Sequence, residues 1–212
     1  MARAAIVLAL LVTLGATVGG TATRAATHAA TCPKAKRPTP RSETREKPKT
    51  HLNPSKTWTA TFTTSCGTFK VRLAVKTSPN TTASFASLAR SHFFDRTIFH
   101  RIVPGFVIQG GDPTQTGSGG PGYSVVDKPP KTTKYRLGTV AMAKTQTEAP
   151  GTAGSQFFVV TADDAGLPPD YAIVGRVTSG LPVVMRIGRL GDAQTEQPTR
   201  VVEVQTIRIS ES

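Results

Sequence analysis

The stretch FHRIVPGFVIQGGD occupies residues 99–112 and combines two kinds of side chain that seldom share so short a segment. Most of it is typical of a half-buried β-hairpin, with aromatic and aliphatic residues on both sides of Pro104–Gly105. Arg101 and Gln109 stand among these apolar residues. Because a buried, unpaired cation is costly, the two side chains either face solvent or line a pocket that needs a donor in an apolar wall.

Length and composition favour one β-rich domain with flexible flanks. The chain has 212 residues, which suits a single sizeable domain, and its 19 glycines and 16 prolines indicate many turns. The formal net charge is +13, and eight basic residues against Glu43 and Glu46 place six of these charges between Thr31 and Thr57. This basicity lies in a polar segment and not on a folded face, so nucleic acid is not expected as a partner. Attachment of the segment to an anionic cell-envelope surface stays open.

Residues 1–30 have the three parts of an export signal. Arg3 precedes the hydrophobic run AAIVLALLVTLGATV, of about 15 residues, and the small-residue region GGTATRAATHAA follows. The run is shorter than the ~20 residues of a typical membrane-spanning helix. We predict export across the cytoplasmic membrane with cleavage, giving a secreted or envelope-associated protein. An uncleaved membrane anchor is the alternative.

Residues 31–56 are polar, basic and interrupted by five prolines, a composition that predicts a disordered linker before a folded domain at residues 57–212. The only cysteines are Cys32 and Cys66. Outside the cytoplasm such a pair indicates a disulfide, and two free thiols are the alternative. The cysteines and histidines show no metal-ligand spacing, so neither a metal nor another cofactor is predicted.

Apolar runs in the folded part predict about eight strands and two short helices, with no βαβ rhythm. The predicted helices begin near Asn80 and at Leu181, and they end at Arg90 and Leu190. The predicted strands cover residues 57–65, 68–75, 98–102, 105–110, 138–143, 155–161, 171–177 and 199–209. This order favours an all-β fold, a closed antiparallel barrel whose ends are covered by helices. Without heptads, a monomer is expected.

Three motifs in register, FHRIVPGFVIQGGD, GTVAMA and GSQFFVVT, resemble those of cyclophilin-type peptidyl-prolyl cis-trans isomerases, and the similarity runs from about Trp58 to Ile209. The resemblance implies an eight-stranded barrel with two capping helices. It also implies an enzyme that accelerates rotation about X-Pro bonds, with proline-containing peptides and unfolded or folding proteins as partners. Together with the N-terminal signal, it indicates a bacterial, exported member that assists protein folding.

The resemblance implies that Arg101 is the catalytic arginine and that Gln109 is catalytic beside it. Gln109 and Gln156 match polar positions that contact the substrate backbone or orient the arginine. The other matching positions line the substrate pocket: Phe106, Val107, Ala143, Phe158, Leu167 and Tyr171. Phe157 is expected in the core, because neighbours in a strand face opposite ways.

This chemistry suits the residue types. Rotation about an X-Pro amide must overcome a barrier of roughly 18–20 kcal/mol, although no bond is broken and no nucleophile or metal is needed. A fixed guanidinium can donate to the prolyl nitrogen or to the moving carbonyl oxygen, and thereby favour the twisted amide over both planar forms. An apolar cup would hold the proline ring still. An ideal two-residue turn at Pro104–Gly105 would place Arg101 and Phe106 on one face and Gln109 on the other, so a wider turn or a bulge is required.

Two positions depart from the family pattern. Gly166 stands where many members carry a tryptophan, and Lys144 stands where an asparagine is common. The first departure implies weak binding of cyclosporin, which titration calorimetry would measure. The alternatives to an isomerase are a catalytically idle peptide-binding or holdase module on the same fold, and a structural protein that binds the envelope through its basic segment.

Overall fold

The computed structural model describes residues 31–212, and the predicted export signal at residues 1–30 lies outside the described residues. The described part contains two α-helices and eleven β-strands. In chain order they are β1 Trp58–Thr64, β2 Gly67–Leu73, α1 Pro79–Arg90, β3 Thr97–Ile98, β4 Arg101–Val103, β5 Val107–Gly110, β6 Val125–Val126, β7 Thr139–Met142, β8 Thr152–Ala153, β9 Phe157–Val160, β10 Ile173–Ser179, α2 Leu181–Gly188 and β11 Glu203–Glu211.

Nine of these strands form one strongly curled antiparallel sheet, in the order β3-β11-β1-β2-β10-β7-β9-β5-β4. The edge strands β3 and β4 are separated in the chain only by Phe99 and His100, so the two edges of the sheet must lie side by side. Strands β6 and β8 form a separate two-stranded sheet. The β-rich fold with two short helices is therefore confirmed. Among the described strands β3 and β4 form no ladder, so the barrel is a curled sheet and not a closed ring of eight strands.

Every predicted strand forms, and the differences from the prediction are local. The predicted strand at residues 98–102 is divided between β3 and β4, because the chain passes there from one sheet edge to the other. The two-residue strands β6 and β8 were not predicted, since such short runs carry no periodicity. Helix α1 begins with Pro79 in its first turn, a position where a missing backbone N–H costs nothing.

The main core fills the inside of the curled sheet, and its centre is aromatic. Phe62 stacks on Phe69 with ring centroids 4.5 Å apart, and Phe85 of α1 meets Phe157 of β9 edge to face at 5.9 Å. Phe157 is fully buried, which confirms its expected place in the core. Because each strand alternates its side chains between two faces, this inner packing leaves the outer face of β4, β5, β7 and β9 available for a site.

Residues 31–56 form no helix or strand, yet they follow a defined path along the domain. The Arg41 backbone N–H donates to the Pro113 carbonyl at 3.0 Å, and the Arg45 N–H donates to the Pro121 carbonyl at 2.9 Å. The Arg41 guanidinium donates to the Phe93 carbonyl at 2.7 Å, and Leu52 is buried in the core. The structure thus differs from the predicted disordered linker, because backbone hydrogen bonds and a few buried side chains hold a segment whose composition is poor in apolar residues.

A disulfide joins Cys32 to Cys66, as the cysteine pair predicted. Cys66 lies in the turn between β1 and β2, so the bond ties the start of the N-terminal segment (residues 31–56) to the first hairpin. The Arg200 guanidinium donates to the Cys32 carbonyl at 3.0 Å and supports the same end of the segment.

Within residues 31–212, no helix has the length and apolar character that a membrane crossing requires.

Candidate active site

The hairpin that carries Arg101 has a wider turn than the two-residue ideal. Arg101 pairs with Gln109, and Val103 pairs with Val107, which leaves Pro104, Gly105 and Phe106 as a three-residue loop. Gly105 has φ 70°, in the left-handed region that glycine adopts without strain. Directly opposed residues of an antiparallel pair share a face, so the extra loop residue brings Arg101 and Gln109 to the same side of the sheet. The wider turn that the sequence required is present.

The same register continues across the sheet. Gln109 of β5 pairs with Phe158 of β9, and Phe158 pairs with Ala141 of β7. A single row across four strands therefore places a guanidinium, an amide and an aromatic ring side by side on the outer face. The neighbouring row, Ile102 with Ile108, faces the core and is fully buried. One hairpin thus supplies both the site and the core beneath it.

A cleft of about 200 Å³ opens on this outer face. Eight residues predicted for the site line it: Arg101, Phe106, Val107, Gln109, Ala143, Phe158, Leu167 and Tyr171. Lys144 is its remaining lining residue. Gln156 lines an adjoining cleft that shares Gln109, Ala143 and Lys144 with the first. The structure therefore brings the predicted residues together, with Gln156 one step removed from the apolar cleft.

A chain of hydrogen bonds orients the Arg101 side chain. Its Nε donates to Glu196 Oε2 at 2.6 Å, and its Nη1 donates to Gln109 Oε1 at 3.3 Å. Gln109 Nε2 in turn donates to Gln156 Oε1 at 3.1 Å. Gln109 therefore contacts the Arg101 guanidinium directly, and Gln156 is linked to Arg101 through Gln109. A guanidinium has five N–H donors, and among residues 31–212 the other three have no partner.

Gln156 is held by a loop that one buried carboxylate organises. Its Nε2 donates to the carbonyls of Gly117 and Gly119 at 2.8 and 3.0 Å. Asp112 is fully buried, and its carboxylate accepts backbone N–H groups of the loop that follows it: those of Thr114, Thr116, Gly117 and Gly119. Burial acts to raise the pKa of Asp112, but hydrogen bonds from Thr114 and from the backbone outweigh it and lower the pKa.

His100 directly precedes Arg101 and strand β4, and it is buried at 8% exposure. Neither of its ring nitrogens has a hydrogen-bond partner among the described residues. Burial lowers the pKa of His100, and the charge of Arg101 lowers it further against the opposing effect of Asp112. The imidazole is therefore neutral near pH 7 and does not add a second cation to the site.

Tyr135 fixes the far wall of the cleft. It is fully buried, its hydroxyl donates to the Tyr171 carbonyl at 2.7 Å, and it accepts the Tyr171 backbone N–H at 2.9 Å. Burial raises the pKa of Tyr135 to about 12, so the hydroxyl remains a donor throughout the physiological range. The Lys144 ammonium lies 5.7 Å from the Tyr171 ring centroid and covers that wall from outside. Gly166, beside the cleft, has open space where a side chain would stand.

Sequence reasoning missed Glu196 and Tyr135. Glu196 lies 95 residues from Arg101 in a polar loop, and a lone glutamate there carries no signal of its partner. Tyr135 stands in the long connection before β7, where no alternation marked it as buried. Asp112 closes the GGD end of the hairpin motif, and a buried aspartate that precedes a glycine-rich loop is a pattern that could have indicated its capping role.

Within residues 31–212, no three histidine, cysteine or acidic side chains gather as they would around a metal ion. The family model described as "Cyclophilin type peptidyl-prolyl cis-trans isomerase/CLD" matches residues 59–209. The chain belongs to the cyclophilin family. Like its relatives, this cyclophilin is a peptidyl-prolyl cis-trans isomerase.

The relatives match this cyclophilin over nearly their whole length. "Peptidyl-prolyl cis-trans isomerase CYP18-2" of Arabidopsis thaliana is 38% identical over 148 residues, which cover 68% of this chain and 88% of the relative. "Probable peptidyl-prolyl cis-trans isomerase A" of Mycobacterium bovis is 35% identical over 176 residues, covering 74% and 95%. A crystal structure of a Cryptosporidium parvum cyclophilin in the presence of the dipeptide ala-pro superposes with a TM-score of 0.67 at 30% identity, covering 73% and 99%.

Proposed function

We propose that this cyclophilin is an exported bacterial enzyme that isomerises X-Pro bonds in proteins folding beyond the cytoplasmic membrane, and that Arg101 performs the catalysis. The observation that carries the catalytic part is the open N–H edge of Arg101 beside the apolar cleft of Phe106 and Phe158. The cleft seats the proline ring while the guanidinium donates to the amide during its rotation. Because both planar amides lack the exposed nitrogen lone pair, this donation favours the twisted state.

The remaining lining residues divide the work. Val107, Ala143 and Leu167 complete the apolar seat, and Tyr171 adds a ring with a polar tip. Gln109 keeps the guanidinium in place and offers its amide to the substrate backbone, and Gln156 supports Gln109. The substrates are proline-containing peptides and unfolded or folding proteins. An ala-pro dipeptide, present with the Cryptosporidium relative, is the smallest ligand of this kind.

A protease-coupled assay on a proline tetrapeptide tests the role of Arg101. We expect Arg101→Ala to lower kcat/KM by on the order of 10²–10³-fold, the effect of removing one preorganised donor from a transition state. Arg176→Ala is the matched control, because Arg176 is an exposed sheet arginine outside the cleft. Equal rates for Arg101→Ala and the wild type would refute the role. Tight peptide binding without any rate enhancement in the wild type would favour the idle holdase module.

Two observations support export. Residues 1–30 have the charge and hydrophobic pattern of a signal, and the Cys32–Cys66 disulfide suits an oxidising compartment outside the cytoplasm. N-terminal sequencing of the native protein after cell fractionation tests this proposal. A mature start near residue 31 in the envelope or medium supports it, an intact start in the membrane fraction supports the anchor, and an intact start in the cytosol contradicts export.

We also propose that the protein acts as a monomer and that its N-terminal segment attaches it to anionic envelope polymer. Lys34, Lys36, Lys47 and Lys49 are exposed along that segment. Attachment through such residues is electrostatic, so it should weaken as salt rises. Co-sedimentation of the mature protein with isolated envelope at two salt concentrations tests this. Glutamine at these four positions should abolish attachment without changing peptide turnover, and unchanged attachment would contradict it.

A further inference from the structure

Glu196 contacts the side chain on which the proposed function rests. Its Oε2 accepts from Arg101 Nε at 2.6 Å, the shorter of the two bonds that hold the guanidinium. The pair is partly shielded, with side-chain exposures of 33% for Arg101 and 43% for Glu196. The bond to Glu196 joins opposite charges at 2.6 Å, so it is stronger than the bond to the uncharged amide oxygen of Gln109 at 3.3 Å. Of the two hydrogen bonds that hold the Arg101 guanidinium, the one to Glu196 is therefore the stronger.

The backbone places this carboxylate with little freedom. The Glu196 carbonyl accepts the Ile102 N–H at 2.9 Å, so the loop is attached to the same strand, one residue from Arg101. The Glu196 N–H donates to the Asp192 carbonyl at 2.9 Å, and the Asp192 carboxylate accepts the N–H groups of Gln194 and Thr195 at 3.0 and 2.8 Å. These hydrogen bonds lower the pKa of Asp192.

The loop also holds Glu196 in an unfavourable backbone conformation. Its φ is 58°, in the left-handed region that non-glycine residues seldom adopt. A turn that needed this conformation only for its path would favour glycine or asparagine at this position. The backbone conformation therefore does not account for a glutamate at position 196, whereas the contact of its side chain with Arg101 does.

We propose that Glu196 is a positioning residue for Arg101. A free arginine side chain has several rotatable bonds, and ordering it in the transition state costs conformational entropy. Glu196 holds the Nε edge and Gln109 holds Nη1, so the plane of the guanidinium is fixed before substrate arrives. The three remaining N–H groups belong to Nη1 and Nη2, and Arg101 is one of the residues that line the cleft. This proposal rests on the catalytic role of Arg101, because Glu196 acts only through it.

Substitutions at Glu196 test the inference in the tetrapeptide assay. We expect Glu196→Ala to lower kcat about 10-fold with little change in KM, and Glu196→Gln to retain part of the activity because an amide oxygen can still accept from Nε. The Nε–H resonance of Arg101 in a ¹H–¹⁵N spectrum should move upfield in both variants. Glu211→Gln is the control for lost charge, since Glu211 is exposed and has no ion pair among residues 31–212.

A double variant separates this inference from the proposed function. In the background of Arg101→Ala, adding Glu196→Ala should cause no further loss, because the two residues act as one unit. If Arg101→Ala is inactive but Glu196→Ala keeps the wild-type kcat or exceeds it, the positioning role is wrong and the role of Arg101 stands. If Arg101→Ala retains full activity, the proposed function fails first. An equal additional loss in both backgrounds would assign Glu196 a role independent of Arg101 and overturn the inference.

Discussion

The disulfide between Cys32 and Cys66 allows the stability of this cyclophilin to be predicted from its topology. The two cysteines are 34 positions apart. In the chain-entropy model, closing a loop of that length removes about 12–13 cal/mol/K from the unfolded ensemble, which corresponds to about 3.8 kcal/mol at 25 °C. We therefore expect the variant with both Cys32→Ser and Cys66→Ser to lose about 3–4 kcal/mol of unfolding free energy. Most of this change acts on the unfolded state.

Urea unfolding followed by circular dichroism measures this loss. The midpoint should fall, and the slope m should rise, because an unfolded chain without the crosslink is more expanded. Wild-type protein unfolded in the presence of a reductant is the matched control and should coincide with the double variant. Peptide turnover under native conditions should change much less, because neither cysteine lines the cleft.

One result would refute the entropic reasoning. If thiol titration shows that the wild type is fully oxidised and the double variant still loses less than about 1 kcal/mol, the crosslink does not restrict the unfolded chain as assumed. A loss well above 5 kcal/mol would contradict it from the other side. It would show that the N-terminal segment leaves the domain entirely and that its native hydrogen bonds to Pro113 and Pro121 are lost with it.

Three further predictions concern the site and its support. Gly119→Ala should lower kcat/KM about 10-fold, because the added Cβ would lie 2.1 Å from Asp112 Oδ1 and disrupt the loop that holds Gln156. Gly120→Ala is the control and should match the wild type in the same assay, because a Cβ added there has no atom within 4 Å. When the pH is lowered from 7.5 to 5.5, the free energy of unfolding should fall less in His100→Gln than in the wild type. Because the pKa of His100 is lowered in the folded state, the unfolded state binds the extra proton below about pH 6.5. The free energy of unfolding then falls by at most about 1.4 kcal/mol for each pH unit. Equal shifts of the urea midpoint in both proteins would contradict this. Phe106→Ala should lower kcat/KM about 10-fold, equivalent to about 1.4 kcal/mol, with an unchanged urea midpoint because Phe106 is only half-buried in the hairpin loop; wild-type turnover would exclude it from the proline seat.

The hairpin and the apolar side of the site could be predicted because they obey short-range rules. Arg101, Phe106 and Gln109 lie within nine residues, so the pleat of two strands and the turn between them determine which side chains meet. The sequence also required the wider turn, since the ideal one would have separated Arg101 from Gln109. Its motif predicted that Phe158 lies beside these residues, and the strand register explains how it comes to lie there.

The polar support of the site could not be predicted in the same way. Glu196 and Tyr135 meet their partners only because the sheet curls and brings distant loops to its outer face, and no local pattern encodes that approach. The predicted disorder of the N-terminal segment differs from the structure for another reason. Composition counts apolar side chains, but backbone hydrogen bonds at Arg41 and Arg45 and one covalent bond at Cys32 hold this segment.

The edges of the curled sheet have a consequence for an enzyme that binds proline-containing peptides. Exposed edge strands recruit extended polypeptides by adding them as a new strand, and the result is aggregation or an arrested complex. Here the two edges are β3 and β4, strands of two and three residues that only Phe99 and His100 separate in the chain. A substrate peptide has little backbone there to pair with, so it can bind through its proline and dissociate again without adding a strand to the sheet.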